Sequence, residues 1–310
     1  MRASLVVILA LVACGDQAPK MTPMTEPLPD FRKLWNFQDP AGTEKEFRAL
    51  LPQAEASGDK EYLLELKTQI ARTYGLRKMF DEAHALLDEV EPELDETTKV
   101  ARLRYLLERG RAYRSGGDPD KAGPFFEEAW EVGQPIHPGL AVDAAHMIAL
   151  VAPAEEKESW NVRAMEYAEK SGDPGAMQWL GALYNNMGWD AHEAKDYERA
   201  LELHRKCWDW HKERNTGRGQ RIAKWSVAKQ LRMLGRGDEA MPLHEELLVE
   251  YAKEDPGGEG FVHEEIAELK LAAGDAEGAK PHFAKAYELL HTIDWVEKDR
   301  LERMKQLGGD

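Results

Sequence analysis

Tyr184-Asn-Asn-Met-Gly188-Trp-Asp-Ala-His-Glu-Ala-Lys-Asp196-Tyr-Glu-Arg-Ala200 holds the pattern that decides the fold. Its closing element, acidic residues running into an alanine, returns as Asp81-Glu-Ala83, Asp118-Pro-Asp-Lys-Ala122, Gly237-Asp-Glu-Ala240 and Gly274-Asp-Ala-Glu-Gly-Ala279. The five alanines lie 39, 78, 40 and 39 residues apart, so a degenerate copy is expected near Trp160. A fixed period of this size marks a stack of similar units, each too small to bury an apolar face alone. Twelve positions before each alanine stands a small residue: Ala71, Gly110, Gly188, Ala228 or Ala267. Four positions after it come Leu87, Phe126, His204, His244 and Phe283, and seven after come Val90, Ala129, Cys207, Leu247 and Ala286. Offsets of four and seven share one helix face, and paired small residues let two antiparallel helices cross closely. Each unit therefore reads as a helical hairpin, and the chain as an all-α solenoid of about six such hairpins.

The turns agree. Gly116-Gly117-Asp118, Gly235-Arg-Gly237-Asp238 and Gly274-Asp275 put a glycine able to adopt positive φ before an Asp able to cap the next helix. Between units, Ser57-Gly58-Asp59 and Ser171-Gly172-Asp173-Pro174 repeat the same stop and start. Pro124, Pro242 and Pro281 each follow the motif alanine by two residues, where a lost hydrogen bond is expected to kink the second helix near its start.

A small residue, an aromatic or leucine three positions on, then Asp-x-x-x-Ala resembles the tetratricopeptide repeat family, and Gly110 with Tyr113 and Tyr184 with Gly188 match it best. That family's usual period is about 34 residues. The longer period here, with its Ala-x-Pro signature, resembles the variant typified by kinesin light chains. The resemblance covers about residues 43 to 290, weakly around 140 to 170, and Lys270 stands where an aromatic is expected. It implies a right-handed superhelix whose first helices line a concave groove. Its exposed groove register falls on Arg72, Arg104, Arg111, Arg114, Asn185, Trp189, His192, Trp225, Lys229 and Arg232.

That set is basic and aromatic in a chain of formal net charge -16. So acidic a chain argues against a nucleic-acid partner and against whole-surface attraction to anionic lipid. Charge is nonetheless sorted by location: Lys212 to Arg236 holds eight Lys or Arg against Glu213 alone, while Asp81 to Glu96 holds eight carboxylates and no Lys or Arg. Two readings of the groove cations stand open. They grip an acidic or C-terminal peptide segment, with Trp189 and Trp225 as anchors; or they solvate a helix face and pair with the next unit's glutamates. The Lys and Asn pattern that clamps chaperone tails is not reproduced.

At the N-terminus, Arg2, the apolar run Leu5 to Val12 and Ala13-Cys14-Gly15 have signal-peptide anatomy and are too short to span a bilayer. Leu11-Val12-Ala13-Cys14 resembles a bacterial lipobox, whose cysteine is lipidated. The expected organisation is a signal peptide at 1–13, a lipid-anchored, proline-rich tether at 14–42 and the solenoid at 43–310. Phe31, Leu34, Trp35 and Phe37 interrupt the tether's polarity and have two destinations, the first repeat or the partner. With Cys14 assigned to lipid, Cys207 is the remaining thiol, so no intrachain disulfide is expected.

Catalytic chemistry finds little support. His204, Cys207 and His211 share a helix face suited to a metal, yet the first two occupy interior positions that repeat as Phe126 with Ala129 and Phe283 with Ala286. No phosphate-cradling glycine loop, nucleophile elbow or His-Glu-x-x-His is present. The expectation is a non-enzymatic scaffold of the bacterial cell envelope, with no cofactor or metal. It is lipid-anchored, on the outer membrane facing the periplasm, and binds another envelope protein or peptide segment. The alternative is a receptor for a small acidic ligand such as a glycan or peptidoglycan fragment.

Overall fold

The structure, a computed structural model, describes residues 27–254 and 258–309. The expected signal peptide, Cys14 and the tether as far as residue 26 lie outside these residues. After α1 (Pro40–Ser57), the chain forms successive helical hairpins: α2 (Lys60–Leu76) with α3 (Phe80–Val90), α4 (Lys99–Ser115) with α5 (Pro119–Gly133), and α6 (Pro138–Ala149) with α7 (Ala154–Ser171). A single turn, α8 (Pro174–Met177), leads into α9 (Leu180–Glu193), which pairs with α10 (Tyr197–Glu213). Then come α11 (Arg218–Met233) with α12 (Gly237–Glu254), α13 (Glu259–Ala272) with α14 (Ala276–Leu290), and a closing helix α15 (Lys298–Gly308). Among the described residues there is no strand. The fold is an all-α solenoid, with a helix at each end shielding faces that would otherwise lack a neighbour.

The degenerate unit is the α6–α7 hairpin. Asn161 takes the alanine position and is 3 % exposed, while Met165 and Ala168 fill the two interior positions after it. All ten interior side chains expected in the clear copies are buried, from Leu87 and Val90 to Phe283 and Ala286. The small residues explain how closely the helices cross. A Cβ on Gly110 would fall 2.5 Å from the Phe126 ring, and one on Gly188 would fall 2.6 Å from the His204 ring. Trp130 packs against the cores on both sides of it, so those two cores are continuous.

The turn inside each clear hairpin has one left-handed residue: Lys78, Gly117, Lys195, Gly235 and Gly274, with φ of 63, 96, 64, 74 and 83°. Their spacing repeats that of the motif alanines. Asp59, Asp173, Asp196 and Asp275 each accept a backbone N–H at a helix start. Asp118 makes no such bond and pairs with Lys121 at 2.6 Å, and α12 begins one residue before Asp238, which therefore lies inside its first turn. Helices α5, α12 and α14 run on through Pro124, Pro242 and Pro281.

At the N-terminal end the aromatic residues reach the first repeat. Phe31 is 3 % exposed and packs edge-on against Phe47 and Tyr62. Trp35 meets Phe47 edge-on and donates its indole N–H to Gln69 Oε1 at 3.1 Å. Helix α1 begins at Pro40, so the packed chain starts before the boundary expected at residue 43.

Candidate binding face

Along one side of the stack first helices meet, α2 with α4, α4 with α6, α9 with α11 and α11 with α13, and polar side chains mark much of that contact. Arg72 on α2 meets Glu108 on α4 at 3.0 Å, and Arg104 on α4 reaches back to Glu65 on α2 at 2.7 Å. Arg111 bridges Glu108 at 2.7 Å and Asp143 on α6. Further along, Lys229 and Arg232 on α11 share Glu265 on α13, each at 2.6 Å, and Arg300 on α15 takes Glu264 at 2.6 Å through Nε. Glu265 is 1 % exposed. Burial alone would raise its pKa, but the charges of Lys229 and Arg232 outweigh that and hold it down to about 2. Arg111 behaves in the complementary way: desolvation opposes its charge, and Asp143 and Glu108 raise its pKa above the usual value.

These contacts keep a 36-residue step for Arg72 to Glu108, Lys229 to Glu265 and Glu264 to Arg300. A step of 36 falls short of the repeat by about one helical turn. Partners on successive helices therefore climb the face diagonally, a turn per unit.

The same diagonal carries aromatic rings in the C-terminal half. Trp189 on α9, Trp225 on α11 and Phe261 on α13 follow at 36-residue intervals, and Trp295 continues the series from the segment before α15. Ring centroids are 6.0 Å apart for Trp189 and Trp225, 6.3 Å for Trp225 and Phe261, and 5.4 Å for Phe261 and Trp295. The planes differ, at 34, 72 and 11°, so the rings wall a space rather than form a flat platform. With Ile222, Tyr251, Gly258, Arg218 and Arg300 they line a cavity of about 440 Å³. The Trp225 indole N–H donates to the Phe261 carbonyl at 3.3 Å, which fixes the ring against the next repeat.

The ten groove residues expected from sequence thus divide. Arg72, Arg104 and Arg111 are engaged between repeats, and Arg114 joins Arg72 and Arg111 around a smaller cavity of about 170 Å³. Lys229 and Arg232 hold Glu265, His192 meets Gln230 at 2.7 Å, and Asn185 donates to Asn186. Trp189 and Trp225 line the large cavity. Its other walls were not in the expected set, although Phe261 was legible as the next step of a 36-residue series. Trp295 carried no such signal because it lies beyond the last repeat.

The three residues weighed as metal ligands take separate partners. The His204 ring packs against Trp189, Cys207 Sγ donates to the Gly181 carbonyl at 3.4 Å, and His211 Nδ1 meets the Thr216 hydroxyl at 2.7 Å. Burial pushes the Cys207 thiol up to about 11, far from a reactive thiolate at neutral pH. Among the described residues no helix is long and apolar enough to cross a membrane.

The family model for the tetratricopeptide repeat matches residues 180–213, the α9–α10 hairpin. No curated protein matches the sequence. Among solved structures the chain is similar to the apo form of RapI, at 14 % identity and a TM-score of 0.71 over 90 % of this chain and 79 % of that one. It is similar also to a Signal Transduction ATPase with Numerous Domains, with a tetratricopeptide repeat sensor, from Pyrococcus horikoshii, at 16 % identity and a TM-score of 0.69. That match covers 88 % of this chain but 43 % of the ATPase, so the chain spans less than half of its length. The apo quorum sensor NprR from B. thuringiensis matches at 14 % identity and a TM-score of 0.52, over 90 % of this chain and 85 % of that one. At these identities the likeness concerns the fold. The α9–α10 hairpin is thus similar to a tetratricopeptide repeat, and the chain as a whole has the fold of an all-α solenoid.

Proposed function

We propose that this chain is a non-enzymatic adaptor of the bacterial cell envelope, held to a membrane by lipid on Cys14, which docks a segment of another envelope protein along the face built by its first helices. The observation that carries the reading is the joining of first helices within each half of that face. Ion pairs join α2, α4 and α6, and rings with further ion pairs join α9, α11, α13 and α15, giving two runs of first-helix surface, each suited to part of an extended segment. The lipobox-like Leu11-Val12-Ala13-Cys14 supports the anchor, and a chain held by lipid needs no spanning helix. Because Arg72, Arg111, Lys229 and Arg232 are already paired, anchoring falls to the aromatic half of the face more than to the cations. Affinity capture from detergent-solubilised envelopes tests this: a stoichiometric protein partner supports the adaptor, and its absence counts against it. The alternative, a receptor for a small acidic ligand, is favoured by one observation, the cavity of about 440 Å³ whose lining among the described residues holds two arginines and no carboxylate.

A further inference from the structure

Another cavity, of about 330 Å³, opens between the start of α7, the end of α9 and the start of α10, beside the degenerate repeat. Asn161 lines it. In the five clear units the corresponding residue is alanine, 1 % exposed or less. Asn161 lies almost as deep, at 3 % exposed, yet its side-chain amide makes no hydrogen bond to any described residue. Burying an amide without a partner costs free energy, so this position calls for a partner that the described chain does not supply. The rest of the lining sets the charge of that partner. Glu158, Asp190, Glu193 and Asp196 face the same space as Lys157 and Arg199. Lys157 is taken by Asp190 at 2.8 Å, Arg199 by Glu202 at 2.8 Å, and Asp196 Oδ1 accepts the Arg199 backbone N–H at 3.0 Å. Glu158 and Glu193, both exposed, make no ion pair among the described residues. The lining therefore carries surplus negative charge. Among the described residues no three carboxylates come together as metal ligands. An organic cation fits better, because its charge is carried on N–H donors and its carbon chain can lie against Met187, Leu203 and Ala191.

We propose that this cavity binds an aliphatic chain bearing a primary ammonium, the chain against Met187 and Leu203 and the ammonium at the Asn161 carbonyl and Glu158. Glu158 stands three residues before Asn161 on α7, so the two share a helix face, and Glu193 adds the second unpaired carboxylate from the end of α9. An ammonium has three donors and no acceptor, enough for the carbonyl and a carboxylate together. Such a group comes from a free diamine or from a lysine side chain of another protein, and the two present the same chemistry to the cavity. The inference stands apart from the adaptor reading, since it uses none of the rings or ion pairs of the first-helix face.

The test is calorimetric titration of the full chain with cadaverine and, separately, with Nα-acetyl-lysine N-methylamide. Pentanol, glutarate and calcium chloride are the comparison titrants. Saturable binding of at least one of the amines, about tenfold or more weaker for the alcohol and absent for glutarate, is expected. Binding of cadaverine marks a free diamine as the source and binding of the capped lysine alone a protein side chain; either supports the assignment. Asn161→Ala, which installs the residue of the clear units, should weaken the amine at least about tenfold while the thermal midpoint of the unliganded chain stays equal to wild type or rises. Glu158→Gln with Glu193→Gln, at exposed positions, should also weaken it about tenfold. Binding of neither amine, equal binding of amine and alcohol, tighter binding of calcium than of either amine, or amine binding that survives either variant at full strength overturns the assignment. A lower midpoint for Asn161→Ala would show that the amide is already satisfied, and overturns it as well.

Discussion

His204 and His244 stand where two other repeats place phenylalanine, and both are fully buried. Neither ring nitrogen of either residue has a hydrogen-bond partner among the described residues. Burial lowers the pKa of each to about 4, with His192 adding to the effect at His204. A proton is therefore bound more tightly in the unfolded chain, and each histidine subtracts stability as pH falls from its ordinary 6.5 toward 4. Phenylalanine already fits opposite glycine at Gly110 and, at Phe283, in the unit whose small residue is Ala267. His204→Phe with His244→Phe should thus stabilise the fold at neutral pH by about 1 kcal/mol or more per site, and flatten its loss between pH 6.5 and 4. Urea unfolding across that pH range reads both effects; an unchanged midpoint at pH 7 would show that the rings are satisfied in some other way. Gly188→Leu should do the reverse, at a cost of about 3 kcal/mol, because its side chain must displace the His204 ring. A wild-type melting point would refute the crossing. Both residues were legible from the repeat, since a register that lines up His204 with Phe126 assigns it to the core before any coordinates are seen. The missing hydrogen bonds were not legible, because they depend on which atoms a neighbouring helix brings near.

The hairpin turn needs one residue at positive φ. Glycine supplies it in three clear units, and Lys78 and Lys195 supply it in the other two, at φ of 63 and 64°. A non-glycine residue there crowds its own Cβ. Lys195→Gly should therefore stabilise the α9–α10 hairpin by about 0.5–1 kcal/mol despite the entropy glycine carries. Chemical denaturation of the single variant checks this, and a destabilised variant would mean the lysine side chain contributes more than its backbone costs. Sequence reading marked these turns where glycine was present and passed over the two lysines, because propensity reports the residue that prefers a conformation, not the fold that imposes one. Contacts between first helices show the same limit. The option that groove cations pair with the next unit's carboxylates describes Arg72, Arg111, Lys229 and Arg232. Sequence left it level with ligand binding, because which carboxylate a cation meets is settled only when the helices are stacked. Glu265→Ala would strand two cations and should cost about 2–3 kcal/mol, less than a fully buried pair because Lys229 and Arg232 keep some contact with water. If thermal unfolding is unmoved, the pairing is incidental. For wild type, the depressed pKa of Glu265 means that this contribution is present above pH 4.5 and is lost as pH falls toward 2.

As a whole, the molecule is a stack with two unlike halves along one face, ion-paired from α2 to α6 and both ion-paired and aromatic from α9 to α15. The repeat period, the hairpins and their interior residues were written in the sequence because identical packing problems recur every 39 or 40 residues and select similar side chains. The aromatic cavity closes with Trp295, which follows the α13–α14 hairpin. Its rings leave a periodic trace only from Trp189 to Phe261; the walls added by Tyr251 on α12, Trp295 and Arg300 on α15 follow no repeat. This division also changes how the adaptor reading must be probed. Charge reversal at Arg111, Lys229 and Arg232 would set new carboxylates against Glu108, Asp143 and Glu265, and so would disturb the stack itself. Aromatic truncation leaves those pairs alone.

The most direct measurement is affinity capture from solubilised envelopes with three forms of the full chain: wild type, Trp189→Ala with Trp225→Ala, and Val249→Ser on the exposed side of α12, where the valine is 54 % exposed. The account predicts a stoichiometric partner retained by wild type and Val249→Ser and lost from the tryptophan variant, with helicity by circular dichroism the same in all three. Retention of the partner by the folded tryptophan variant, or its loss from Val249→Ser alone, would contradict it.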